Sequence, residues 1–104
     1  MGEYERARQL YEDTLRRCRR VLGEDDPVTL FSAHYLAYDL SAAGEHERAR
    51  DLYEDTLTHS RRVLGENNRE TLKLASHFAL HLRGVGEDEQ ARQLEDKIQS
   101  RLEP

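Results

Sequence analysis

Gly2-Glu3-Tyr4-Glu5-Arg6-Ala7-Arg8 returns as Gly44-Glu45-His46-Glu47-Arg48-Ala49-Arg50, and more loosely as Gly86-Glu87-Asp88-Glu89-Gln90-Ala91-Arg92. A spacing of about 42 residues marks stacked copies of one small unit that cannot bury its apolar face alone. Such a stack builds surface, so a binding module is the first expectation.

Outward from this stretch, one periodic pattern covers the chain. Ala7, Leu10, Tyr11, Thr14, Leu15, Cys18, Val21 and Leu22 fall in steps of three and four, the stripe of an amphipathic helix. Ala49, Leu52, Tyr53, Thr56, Leu57, Ser60, Val63 and Leu64 repeat it. Gly23 and Gly65 follow, where a helix end favours a residue tolerant of positive φ. Asp26-Pro27 then supplies an N-cap and a proline at the first helical position. In the next copy Asn67 is expected to cap, with Glu70 completing a capping box.

The helices that follow are expected to bury Leu30, Ala33, Leu36, Ala37 and Leu40, then Leu72, Ala75, Phe78, Ala79 and Leu82. Ala42-Ala43-Gly44 and Gly84-Val85-Gly86 turn the chain back. Ala37 with Ala49, and Ala79 with Ala91, sit where paired helices cross, and overpacking there costs about 1–3 kcal/mol. No strand is expected, because Thr, Val and Ile98 are scattered without alternation.

Ala33, Leu36, Ala37, Leu40, Gly44, His46, Ala49, Tyr53 and Thr56 resemble the tetratricopeptide repeat signature. Phe78, Ala79, Leu82, Gly86 and Ala91 carry it again, and the long period is similar to the kinesin-light-chain variety. The resemblance implies an all-α, right-handed solenoid of antiparallel helix hairpins in a single domain, 1–104. Five helices are expected: an unpaired second helix over 2–22, a repeat over 27–64 and a terminal repeat over 69–102. His46 and Asp88 replace the usual turn aromatic, and Glu95 replaces the aromatic equivalent to Tyr53. Where kinesin-type repeats carry groove asparagines, this chain has His34-Tyr35 and Ser76-His77.

The resemblance implies protein or peptide binding on the inner face, lined by the first helix of each pair. By repeat register that face presents Phe31, His34, Tyr38 and Ser41, then Lys73, Ser76, Leu80 and Arg83. Aromatic anchors with Lys73 and Arg83 favour an extended peptide bearing apolar groups and a carboxylate. The alternative is a self-association or regulatory segment of a larger protein. The first helix lacks a partner in this order, so Leu10, Tyr11 and Thr14 form an apolar face suited to homodimerisation.

Other classes find little support. Apolar residues are 37% and charged residues 36%, with a net charge of −5 that disfavours a nucleic-acid partner. No apolar run is long enough for a membrane span, so no membrane partner is expected. The single cysteine, Cys18, fits a reducing, cytoplasmic setting. His77 and His81 are four apart but enclose Phe78-Ala79-Leu80, without the glutamate of a zinc-protease motif. They are expected to be surface histidines, with no metal, cofactor or catalytic residue. Glu12 and Asp13 before Arg16 and Arg17, and Asp55 before His59, are read as helix-stabilising pairs.

Overall fold

Four glycines at equal spacing punctuate the chain: Gly23, Gly44, Gly65 and Gly86 all have φ between 85° and 97°. A Cβ on any of them would meet nothing within 4 Å, so the requirement is conformational rather than steric. Each ends a helix with a backbone bond spanning five residues or its equivalent, as in Glu45 N–H to Leu40 O (2.9 Å) and Glu87 N–H to Leu82 O (2.8 Å).

The computed structural model describes residues 2–102, and the expected domain limits at Met1 and Pro104 lie outside them. The helices are α1 (Gly2–Val21), α2 (Pro27–Ala42), α3 (His46–Val63), α4 (Arg69–Gly84) and α5 (Asp88–Leu102). Asp26 caps α2 by accepting from the Val28 N–H at 2.9 Å. At α4 the cap is Asn68, accepting from the Glu70 N–H at 2.9 Å, which corrects the expected Asn67. The reason is register: the left-handed turn at Gly65 bonds back through Asn68 N–H, as Gly23 does through Asp26.

Consecutive helices pack as antiparallel hairpins, and α2 also touches α4 directly. The molecule is an all-α helical repeat solenoid, 41 × 31 × 16 Å. Its shortest dimension holds two layers of helices, as expected for axes 8–10 Å apart. Ala37, Ala49, Ala79 and Ala91 are at most 1% exposed, which is how the axes come close. Leu15, Leu36, Leu40, Leu57, Leu74, Leu82 and Phe78 fill the space around them. Leu72, expected in the core, is only half-buried.

Successive layers repeat their polar contacts too. Arg8 of α1 pairs with Glu45, and one repeat later Arg50 of α3 pairs with Glu87. Glu12 reaches across to Arg48 at 2.5 Å rather than along its own helix to Arg16. Arg16 pairs with Asp13 at 3.0 Å, and His59 with Asp55 at 3.6 Å. Exposed pairs contribute about 0–1 kcal/mol each, so these contacts set register more than stability.

One buried contact is made in the second layer and missed in the first. Ser60 and Thr71 share a 2.8 Å hydroxyl–hydroxyl hydrogen bond where α3 of one hairpin packs against α4 of the next. Their counterparts one repeat earlier are Cys18 and Thr29. The Cys18 sulfur lies 3.6 Å from Ser32 Oγ, and the buried Thr29 Oγ1 has no hydrogen-bond partner among the described residues. A thiol is a weak hydrogen-bonding group, and an unpartnered buried hydroxyl is costly. Cys18→Ser is expected to raise unfolding free energy by about 0.5–1.5 kcal/mol. Urea denaturation measures it, and unchanged or lower stability would contradict the equivalence.

Candidate functional site

The inner side of the stack follows from which helices meet. Among the described residues α2 and α4 approach each other, whereas α1, α3 and α5 do not. The first helices of the hairpins therefore crowd together on the inner face, and the second helices fan apart outside. Between α2 and α4 lies an open pocket of about 350 Å³. Tyr38 and Ser41 of α2, His46 and Tyr53 of α3, and His77, Leu80 and His81 of α4 line it.

Tyr53 forms the floor. Its ring is 1% exposed and stacks on Phe78 at 5.3 Å, with His81 at 5.7 Å and His34 at 6.5 Å. Burial raises its phenol pKa well above the ordinary value.

His77 and His81 are not ordinary surface groups, which corrects the expectation for them. His34 is 7% exposed and His81 is also buried, while His77 is half-buried. His34 Nε2 and His77 Nδ1 share a hydrogen bond of 2.6 Å between α2 and α4. Ser41 Oγ and His81 Nδ1 share another of 2.8 Å. His77 and His81 are thus committed to different partners on α2. Among the described residues no three His, Cys, Asp or Glu side chains are grouped to hold a metal ion.

Burial also disfavours the charged imidazolium. It lowers His34 from 6.5 to about 4, helped by the neighbouring His77 and Lys73. Burial, then Lys73, lowers His77; burial, then His46, lowers His81. A neutral His34–His77 pair is self-consistent, since one ring donates and the other accepts. Two protonated rings would set N–H against N–H.

The residues expected on this face meet different fates. Tyr38 and Leu80 are 56% and 63% exposed beside the pocket, and Phe31 and Lys73 are exposed. Ser76 is half-buried, while His34 and Ser41 are engaged in the bonds between α2 and α4. Arg83 donates to both oxygens of Glu95, at 2.8 and 2.5 Å, so its charge is neutralised within the chain. That pairing holds the Glu95 carboxyl below its ordinary value and raises Arg83.

Sequence reasoning missed His46, Tyr53, His77 and His81 as pocket residues. A signal was present in the register. The bonded pairs are 43 and 40 residues apart, close to one repeat, so stacked copies of the same turn of helix face each other.

At the first layer Leu10 is 64% exposed, Tyr11 is 37% exposed, and Thr14 is exposed. Their counterparts Tyr53 and Thr56 are buried and Leu52 is half-buried. The contrast has one cause: among the described residues α3 is packed between α2 and α4, whereas α1 is packed against α2 alone.

Paired helices, glycine-punctuated turns and small residues at the crossings define a helical-hairpin repeat protein. The family model described as tetratricopeptide repeat matches residues 1–59, and the chain belongs to that family. Its repeats generally mediate protein–protein interaction and form a non-catalytic scaffold. No curated protein matches the chain. Among the described residues, no helix is long and apolar enough to cross a membrane.

The buried His34 has a consequence for stability. With its folded-state value lowered from 6.5 to about 4, the unfolded chain takes up a proton first as pH falls. Stability is full above the unfolded value and is lost as pH falls from about 6.5 towards 4, by up to about 3 kcal/mol. Urea midpoints measured across this range should fall, and His34→Gln should flatten the slope. An unchanged slope in the variant would remove His34 as its source.

Proposed function

We propose that the chain is a protein-interaction module that binds a peptide or protein segment on the inner face formed by α2 and α4. The observation that carries this reading is the open pocket flanked by Tyr38 and Leu80, both more than half exposed above the Tyr53 floor. Large apolar side chains beside a concavity suit anchoring of a partner's apolar groups. Phe31, Lys73 and Ser76 extend the same face, and His34, Ser41 and Arg83 support it through the bonds they make within the chain. The mechanism is equilibrium binding on a preformed surface, with no catalytic residue, cofactor or metal invoked. The 42-residue spacing (by the register of Gly2, Gly44 and Gly86) supports the kinesin-light-chain-like subtype. The net charge of −5 argues for protein rather than nucleic acid or an anionic membrane as partner, and the lone Cys18 supports a cytoplasmic setting.

Peptides selected on the wild-type protein from a displayed random library provide the test. Tyr38→Ala with Leu80→Ala should weaken their binding by about tenfold or more while leaving helicity intact. Unaltered affinity would move the site elsewhere.

The exposed Leu10, Tyr11 and Thr14 favour a second reading, in which the chain self-associates or serves as a regulatory segment through α1. The equivalent α3 surface is covered, so the first-layer surface has the composition of an interior. Sedimentation velocity over a range of concentrations should then show a dimer that Tyr11→Glu dissociates. A monomer throughout would exclude this reading.

A further inference from the structure

The inner pocket concentrates imidazole groups where a partner would sit. His77 is the histidine best placed to report on an occupant. Its Nδ1 is engaged with His34 Nε2 at 2.6 Å, and its ring lines the pocket beside Tyr38, with ring centroids 5.3 Å apart. When His34 donates to it, His77 carries its own proton on Nε2, which is then a donor available to a ligand. His34 behind it is buried, so the pair shares at most one added proton without breaking its hydrogen bond.

The groups facing this pair can be named element by element. From α2 come His34, Tyr35, which stacks on it at 6.1 Å, and Tyr38; from α3, Tyr53 lies against His34. From α4 come Lys73 and His81 on the same helix as His77. His81 is flanked by Ser41, Tyr53 and His46 and feels the charge of Arg50, which is itself tied to Glu87. The charged groups that bear on His34, His77 and His81 are basic, with no carboxylate among them. Arg50 is neutralised by Glu87, so Lys73 is the basic charge that acts on the His34–His77 pair in a chain of net charge −5.

Resting on the inner-face reading above, we infer that the His34–His77 pair with Lys73 couples binding of an acidic peptide segment to uptake of a proton. An empty pocket keeps the pair neutral, because burial and Lys73 both oppose an added charge. A partner carboxylate at His77 Nε2 reverses that balance, since an anion within about 4–6 Å favours imidazolium. The proton comes from solvent and is held on the imidazole pair, with no bond to carbon made or broken. Because the bound form takes up the proton more readily than the free form, affinity rises as pH falls through the range where only the bound form is protonated.

The test uses the full chain and a short rhodamine-labelled peptide of glutamates flanking two leucines, with glutamines replacing the glutamates in a control. Glutamate stays ionised at both conditions, so the protein's groups supply the pH dependence. The glutamate peptide should bind about tenfold tighter at about pH 5.5 than at about pH 7.5, with the glutamine peptide changing less than about twofold. His77→Gln should abolish the difference while circular dichroism shows the fold retained. On the wild-type protein, the NMR titration midpoint of the His77 ring should move up when the glutamate peptide is added. Equal pH dependence for both peptides, its persistence in His77→Gln, or an unmoved His77 midpoint would each overturn the inference. PH-independent binding that is still weakened by Tyr38→Ala with Leu80→Ala overturns the inference but leaves the inner-face reading standing. Absence of binding by either peptide also overturns the inference, and the library-selected peptides then judge the reading separately.

Discussion

One ring holds two layers together. Tyr53 projects from the outer helix α3 into the seam where α2 and α4 meet, with 1% of its surface left exposed. It stacks on Phe78 of one layer and lies against His34 of the other. A single hairpin of this size has too little apolar surface to stand alone, so stability comes from such shared interior contacts between neighbours. The close alanine crossings make the seam possible by letting each hairpin stay thin. The pocket exists because the same ring forms its floor.

The three copies of the Tyr53 position show how a repeat is adapted to its place. Tyr11 is partly exposed, Tyr53 is enclosed, and Glu95 replaces the aromatic in the last copy. Glu95 is bound by Arg83, which occupies the place Ser41 holds one layer earlier. Among the described residues α5 packs only against α4, and an ion pair at that position is compatible with water. The two ends of the described stack therefore differ in chemistry, apolar at α1 and charged at α4–α5. The polar staircase of Arg8–Glu45 and Arg50–Glu87 repeats without such adaptation, because its environment is half-exposed in both layers.

The histidines join fold and surface. Three of them, His34, His77 and His81, take part in hydrogen bonds between α2 and α4, and burial disfavours their charged forms. The same bridge that closes the layer seam forms a wall of the pocket. On the proposed inner-face reading, a substitution at His34 or His81 perturbs packing and recognition together, whereas the exposed Tyr38 and Leu80 bear mainly on recognition.

Much of this was legible in the residues. Helix boundaries followed from glycines and caps, because those preferences act over a few bonds; only the choice between Asn67 and Asn68 failed, where two like residues adjoin and the turn geometry selects one. The alanine and leucine seams were readable because helical periodicity maps directly onto buried faces. The fates of Arg83, Glu12 and the histidines were not. Each depends on a partner about a repeat away or on a neighbouring helix, and local spacing offers competing partners of equal merit, as Arg16 did for Glu12. Sequence by itself determined that this chain forms hairpins that must stack, since periodicity and backbone conformational preference are local properties. Only tertiary structure decided which side chains meet across the α2–α4 seam, because that depends on the offset between layers, and an offset of a single residue changes which imidazole faces which.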